Sequence, residues 1–429
     1  MTKIVPITDS VCPRRWNFVD VRLNTEEIRM CCHTKFKKIN EGESLLNNGE
    51  FKQRRLEMLQ GIRHSDCDYC WKLEDNGLPS ERTSEVQKIS WDKKLYDTLV
   101  NTDVTDLTID HPVLDTNEVS ITNLVLENTC DLKCSYCRNN YSSQWAVEDL
   151  NRKVISIETY RSLSKESEEW FLRDFWKIIG DQRDNIKMFG IAGGEPTITP
   201  NFYNTVDSLI GGELHSTVGN PVLFMFTNAN TNEKYFEKLL QVIPKITERY
   251  EFRINVSIES IESRAEYVRY GIDWTRFNSN VGRLLEIAVN NPKLSVIMAP
   301  TLSVLSLPRL DTFIEWVLTK ERLYGLKIPF HKNTVKSPVH DRPEFLPEEF
   351  KQYLDKPIQL LRESGYNHDN YIGYLESVRD SINTHPRTKS EEQAFYDFYK
   401  NYDSIRNTNF TETFPELAEY YNACNTIIK

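Results

Sequence analysis

From about residue 119 onward, short runs of β-branched and other apolar residues alternate with longer amphipathic stretches. No other feature of the chain restricts its fold as much. The strand candidates are 121–127 (ITNLVLE), 186–192 (IKMFGIA), 222–227 (VLFMFT), 252–258 (FRINVSI), 294–298 (LSVIM) and 326–330 (LKIPF). Between them the spacing predicts helices over 157–179, 202–210, 232–242, 274–289 and 310–319. Strands that are apolar on both faces and separated by helices form a parallel sheet with helices packed over it. The count suits either an open doubly wound sheet or a barrel of six units, and pattern alone does not separate them. In both, reactive groups gather beyond the C-terminal ends of the strands.

Directly after the first of these strands comes NTCDLKCSYCRNNYSSQW, which places Cys130, Cys134 and Cys137 within eight residues. The nine cysteines are otherwise Cys12, Cys31, Cys32, Cys67, Cys70 and Cys424, so eight of the nine precede residue 138. An odd number, in a chain where no N-terminal run joins basic residues to an apolar stretch, argues against a disulfide framework. The expectation is a cytoplasmic protein, since no stretch of about 18 uninterrupted apolar residues marks a membrane span. A formal charge of -10 makes nucleic acid an improbable partner, because such binding rests on neutralising phosphates.

Cys-x3-Cys-x2-Cys on one loop presents three thiolates toward a common centre. That suits three irons of a 4Fe-4S cube and leaves the fourth iron open to an outside molecule. Zinc is the alternative, usually on paired Cys-x2-Cys units with a fourth Cys or His. Here the next histidine downstream is His215.

Residues 1–85 read as a separate cysteine-rich piece, with a hairpin (17–23 and 28–31), a helix over 51–59 and then Cys67-Asp68-Tyr69-Cys70. Residues 86–118 read as a linker, 119–340 as the strand-helix core, and 341–429 as a charged helical extension with helices over 347–363 and 390–402. The aromatic-rich stretches YNHDNYIGYLESVRD and AFYDFYKNYD read as helix-packing faces. His331, Asn333 and His340 read as loop residues with no assigned role, and Cys424 as a small apolar residue.

The cysteine motif resembles that of the radical S-adenosylmethionine superfamily, Cys-x3-Cys-x-aromatic-Cys, with Tyr136 as the aromatic residue. Gly193-Gly194-Glu195-Pro196 after the second strand resembles the family's GGEP turn, whose backbone binds the methionyl amino group. Thr227-Asn228-Ala229 is similar to the family's Thr-Asn-Gly near the ribose. Ser257 in NVSIES and Arg269 in EYVRYG resemble the hydroxyl and the cation that hold the ribose and the methionyl carboxylate.

This resemblance spans about residues 119–335 and implies a partial (β/α)6 TIM-like barrel with a small N-terminal auxiliary domain and C-terminal helices. It implies a catalytic 4Fe-4S cluster on Cys130, Cys134 and Cys137. S-adenosylmethionine would be cleaved there reductively to a 5'-deoxyadenosyl radical that takes hydrogen from a substrate.

The pieces VCPRRWNFVDVRLNTEEIRMCC and FKQRRLEMLQGIRHSDCDYCWKLEDNG resemble the auxiliary-cluster segments of members with twitch or SPASM domains. In those members, however, the segment follows the barrel. The resemblance implies a second 4Fe-4S cluster on Cys12, Cys31, Cys67 and Cys70, with Cys31 taken over Cys32. It also implies a flavodoxin or ferredoxin-type electron donor, and a peptide or small-molecule substrate. The rival reading is a non-catalytic zinc protein that uses its cysteines for folding and an aromatic surface to bind peptide or RNA.

Overall fold

The computed structural model describes residues 10–77, 79–87, 93–104, 107–211, 221–385 and 387–425. The chain divides into two compact units. One comprises the described residues within Met1–Glu127, Arg161–Ala192 and Thr205–Leu223; the other those within Asn128–Tyr160, Gly193–Asn204 and Phe224–Lys429.

Ten strands occur in chain order among the described residues: β1 (Phe18–Arg22), β2 (Glu27–Arg29), β3 (Lys37–Lys38), β4 (Ile121–Val125), β5 (Lys133–Cys134), β6 (Met188–Ala192), β7 (Val222–Thr227), β8 (Glu251–Val256), β9 (Arg269–Tyr270) and β10 (Leu294–Met298). In the first unit β4 pairs parallel with β6 in the register Leu124 to Ile191. On its other side β4 pairs parallel with β1, which turns back antiparallel into β2 and then β3. The N-terminal hairpin is therefore part of the sheet of β4, a long-range pairing that local pattern does not encode.

In the second unit β8 pairs parallel with β10, and the amide of Ser257 donates to the carbonyl of Thr227 at the end of β7. The class is α/β with parallel strands and intervening helices, as in a partial barrel with added helices. Leu124, Phe189, Ile191, Ile254, Val256 and Met298 are buried on the strands, which is why these segments are apolar on both faces.

Three expectations need correction. The helix over 157–179 is two helices, Ile157–Leu163 and Glu169–Gln182. The break falls in the polar run Ser164–Glu168, where the Ser167 hydroxyl donates to the Leu23 carbonyl and the Glu168 amide to Glu26. Tertiary partners there replace helical ones.

The sixth strand, over 326–330, is reduced to a single bridge between Met298 and Phe330. Pro329 has no amide to donate, and the Ile328 amide donates to the Glu321 carboxylate instead. The stretch read as a linker, 86–118, contains the helix Lys93–Val100, and the helix Glu81–Gln87 runs into its start.

The aromatic stretches do form helix-packing faces. Tyr371, Phe395, Tyr399 and Tyr402 are all buried, and so is Cys424. Among the described residues no helix is long and apolar enough to cross a membrane.

Candidate functional site

Each cysteine group lies within one unit, so each is described separately. In the second unit, the loop that follows β4 carries Cys130, Cys134 and Cys137. Its course is fixed by its own polar side chains. Ser142 caps the helix Ser143–Asn151 by accepting from the Trp145 amide, and it donates to the Leu132 carbonyl at 2.6 Å. The Trp145 indole N–H donates to the Cys134 carbonyl at 2.9 Å. Asn128 donates to the Asn139 carbonyl at 3.0 Å. Cys134 also pairs through the backbone with Arg269, as strand β5 against β9.

The glycine turn is seated on this loop, backbone against backbone. The Glu195 amide donates to the Thr129 carbonyl at 2.8 Å. Gly194 has φ +53, and a Cβ there would stand 2.1 Å from that same oxygen. Only a residue without a side chain permits this approach. Gly193 and Gly194 are half-buried, whereas Glu195 and Pro196 are buried, so of these four residues only the glycines keep partial exposure.

The carboxylate of Glu195 accepts from the Thr197 amide and hydroxyl, from the Thr227 hydroxyl at 2.9 Å and from the Asn228 amide at 2.6 Å. Burial, followed by the charge of Asp131, raises its pKa to about 7. Glu195 thus ties the glycine turn to the Thr227-Asn228-Ala229 segment. Asn228 closes the circuit by donating to Asp131, on the cysteine loop, at 2.6 Å. Ala229 adopts φ +50, a conformation that a glycine would accept without cost.

Arg269 is buried, but its charge is already matched within the chain. Its Nε and Nη2 donate to Glu259 at 3.0 and 2.7 Å, and its Nη1 points to the Cys134 sulfur at 3.8 Å. Burial works against the guanidinium charge, yet the Glu259 carboxylate outweighs it and holds Arg269 firmly protonated. The Tyr136 hydroxyl donates to Glu259 at 3.0 Å, and its ring lies 5.5 Å from the guanidinium. Ser257 is half-buried at the start of the loop after β8.

Sequence reasoning passed over Asp131 and Glu259. Asp131 sits inside the cysteine motif itself, and Glu259 lies two residues beyond Ser257, in the loop after β8. Both were legible as acidic residues beside a motif.

The three thiols fit a cationic cluster. Burial raises the pKa of Cys130 and Cys137, and pushes Cys134 up to about 12. Thiolates are costly in such a place unless a positive centre faces them. Arg269 faces Cys134 but shares its charge with Glu259, and Lys133 is paired with Glu148 at 2.8 Å, so the iron of a cluster would supply the charge that three thiolates still need.

In the first unit, Cys12, Cys31, Cys67 and Cys70 line one cavity together with Arg14, Arg15, His33 and Glu81. Cys32 is not part of that lining, and Arg14 donates to its sulfur at 3.6 Å. Arg15 donates to the Cys67 sulfur at 3.4 Å. The Arg15 backbone is itself held by Arg55, a fully buried residue of the helix Gly49–Leu59, which donates to the carbonyls of Arg15, Leu46 and Leu114.

Burial, with the charges of Cys31 and Cys67, raises Cys12. Burial raises Cys67 and Cys70 as well. A hydrogen bond with Cys32 chiefly raises Cys31 and lowers Cys32 to about 7. Among the described residues, no three His, Cys, Asp or Glu side chains converge closely enough to grip a single metal ion.

His331 packs edge-on against Phe226, and Asn333 donates to the Thr301 hydroxyl at 3.0 Å.

No protein-family model matches this chain, and no relative was found among curated proteins. Similar solved structures include native anSMEcpe with bound AdoMet and a Cp18Cys peptide, with a TM-score of 0.37, 13% identity, and coverage of 59% of this chain and 61% of that one. Native anSMEcpe with bound AdoMet aligns with a TM-score of 0.36 and 14% identity over 57% and 60% of the two chains. SuiB of Streptococcus suis bound to S-adenosylmethionine aligns with a TM-score of 0.28 and 14% identity over 77% and 73%. The chain spans about three-fifths of the length of the anSMEcpe chains it matches.

Proposed function

We propose that this protein is a radical S-adenosylmethionine enzyme. The observation that carries the reading is the seating of the glycine turn on the cysteine loop, with Gly194 so close to Thr129 that no side chain fits between them. That contact supports a site in which the partly exposed turn backbone serves the same cluster as the three thiols, which would leave one corner of a 4Fe-4S cube without a protein ligand. When bound, a reduced cluster supplies the single electron that splits the C5'–S bond of S-adenosylmethionine.

The chain's own residues do the rest. Cys130, Cys134 and Cys137 would hold the cluster, and the Gly193-Gly194 backbone would meet the methionyl amino group. Glu195 braces that turn with four accepted hydrogen bonds and does not reach outward. Asn228 and Ser257 address the ribose. The Arg269 guanidinium supports Cys134 through Nη1 and pairs with Glu259 through Nε and Nη2, so a methionyl carboxylate would have to share Nη1 with the Cys134 sulfur. Tyr136 covers Arg269 and helps to keep water from the site.

In the first unit, Cys12, Cys31, Cys67 and Cys70 would saturate a second cube, which would suit electron relay. A flavodoxin or ferredoxin-type donor would reduce either cluster. The auxiliary segment favours a peptide substrate over a small molecule, in oxidation, epimerisation or cross-linking.

The test is oxygen-free protein supplied with dithionite and S-adenosylmethionine. Brown protein with about eight irons that forms 5'-deoxyadenosine supports the reading. Colourless, zinc-bearing protein that forms none overturns it in favour of a zinc-stabilised binding protein.

A further inference from the structure

The C-terminal helix Lys389–Arg406 bears on the cysteine loop through its last turn. Arg406 donates to both oxygens of Glu148, at 3.1 and 3.3 Å. Glu148 also accepts from Lys133, the residue immediately before Cys134. The guanidinium of Arg406 lies 3.8 Å from the ring of Tyr402, 4.8 Å from Trp145 and 5.1 Å from Tyr270. Trp145 in turn holds the Cys134 carbonyl, and Tyr270 is the strand partner of Lys133. One turn earlier, the Tyr402 hydroxyl donates to the Tyr267 carbonyl at 2.8 Å and lies 3.5 Å from the Lys133 carbonyl.

Arg406 and Glu148 are both buried. A buried ion pair is a poor route to stability, because desolvation consumes most of the attraction, but it fixes geometry well. Arg406 ends its helix, where the exposed carbonyls favour a cation, and its Nε and Nη1 have no hydrogen-bond partner. The residue is committed to stacking and to one carboxylate.

We infer that the helix Lys389–Arg406 is a clamp on the three-cysteine loop, and that Arg406 is a positioning residue which sets where Cys134 stands through Glu148 and Trp145. The inference rests on the proposed function for its meaning, though not for its test. The helical extension would then belong to the machinery of the cluster site.

The experiment is amide hydrogen exchange on the iron-free full-length chain and its Arg406→Gln, Arg406→Lys and Trp145→Phe variants, followed by oxygen-free iron loading of each. In Arg406→Gln, exchange over 130–137 should rise about tenfold or more while β8 and β10 stay protected, as a local opening demands. Arg406→Lys keeps the charge but loses the fork and the stacking, so it should fall between. Trp145→Phe, which removes one N–H, should loosen 134 and its neighbours alone.

After iron loading, Arg406→Gln should show altered electron paramagnetic resonance g-values for the cluster on this loop. Unchanged exchange at 130–137, or an increase spread evenly over β8 and β10, would overturn the clamp. If exchange behaves as stated but no chain, parent included, takes up iron, the clamp stands and the enzymatic reading falls.

Discussion

The three-cysteine loop and the four-cysteine cavity differ in how the polypeptide surrounds sulfur. Around Cys130, Cys134 and Cys137, support comes from the backbone and from closed polar circuits: the glycine turn on Thr129, Glu195 to Asn228 to Asp131, and Glu259 to Arg269. Around Cys12, Cys31, Cys67 and Cys70, arginines point directly at the site, with Arg15 on Cys67 and Arg14 on the neighbouring Cys32. On the proposed function, a loop whose cysteines number one fewer than the corners of a cube would admit an outside ligand. On the same proposal, a cavity lined by four thiols, with arginines that pair with Glu81 and Asp66, would enclose a cluster on all four corners, and hydrogen bonds to sulfur are among the levers on cluster potential.

That contrast is broken most decisively by paired cysteine variants. Cys134→Ala should abolish 5'-deoxyadenosine formation and lower iron from about eight to about four per chain. Cys12→Ala should lose a similar share of iron yet still form 5'-deoxyadenosine with dithionite, since only the open corner meets S-adenosylmethionine. Equal loss of product in both variants would erase the distinction.

Next in size is thiol labelling of the iron-free chain, read by mass spectrometry across pH. Cys32, lowered to about 7, becomes thiolate as pH rises through neutrality, whereas Cys134, pushed up to about 12, remains neutral there. Alkylation requires the thiolate, so Cys32 should react with a midpoint near 7 and Cys134 should trail by several orders of magnitude. Comparable rates at pH 7 would show that the loop is not desolvated as described.

Gly194→Ala sharpens the backbone half of the contrast. The added methyl meets the Thr129 carbonyl at 2.1 Å, in a left-handed conformation, for a combined cost of roughly 3 kcal/mol. A lower denaturant midpoint and product formation reduced about a hundredfold are the expected readings. At the small end, Ala229→Gly relieves a strained residue and should raise stability by about 1 kcal/mol. A loss of stability there would mean that the methyl group contributes packing that outweighs its strain.

Much of the second unit was legible because local signals agreed with one another. Strands over 222–227 and 294–298 and the helix over 274–289 stand where periodicity puts them, since most of their apolar side chains are buried or half-buried. The cysteine loop follows the first strand of the alternating core as its place in the sequence implies, and Gly193-Gly194 forms a turn. What escaped the reading was held by distant partners. The break after Leu163 depends on Leu23 and Glu26, and the loss of the sixth strand depends on Glu321 capturing the Ile328 amide. The place of the N-terminal hairpin depends on β1 finding β4 across roughly a hundred residues, the kind of non-local pairing that sequence pattern does not fix. The commitment of Arg269 to Glu259 was hidden for the same reason: a cation in a motif reads as free until its carboxylate is found.

The central claim is that one iron corner is left for an outside molecule by a loop offering three thiolates. The most direct measurement is electron–nuclear double resonance on reduced, oxygen-free protein with S-adenosylmethionine labelled at its methionyl nitrogen and carboxylate. Resolved couplings from both labels to the cluster, lost in Cys134→Ala and retained in Cys12→Ala, are the predicted result. A cluster signal that ignores bound S-adenosylmethionine would contradict the account.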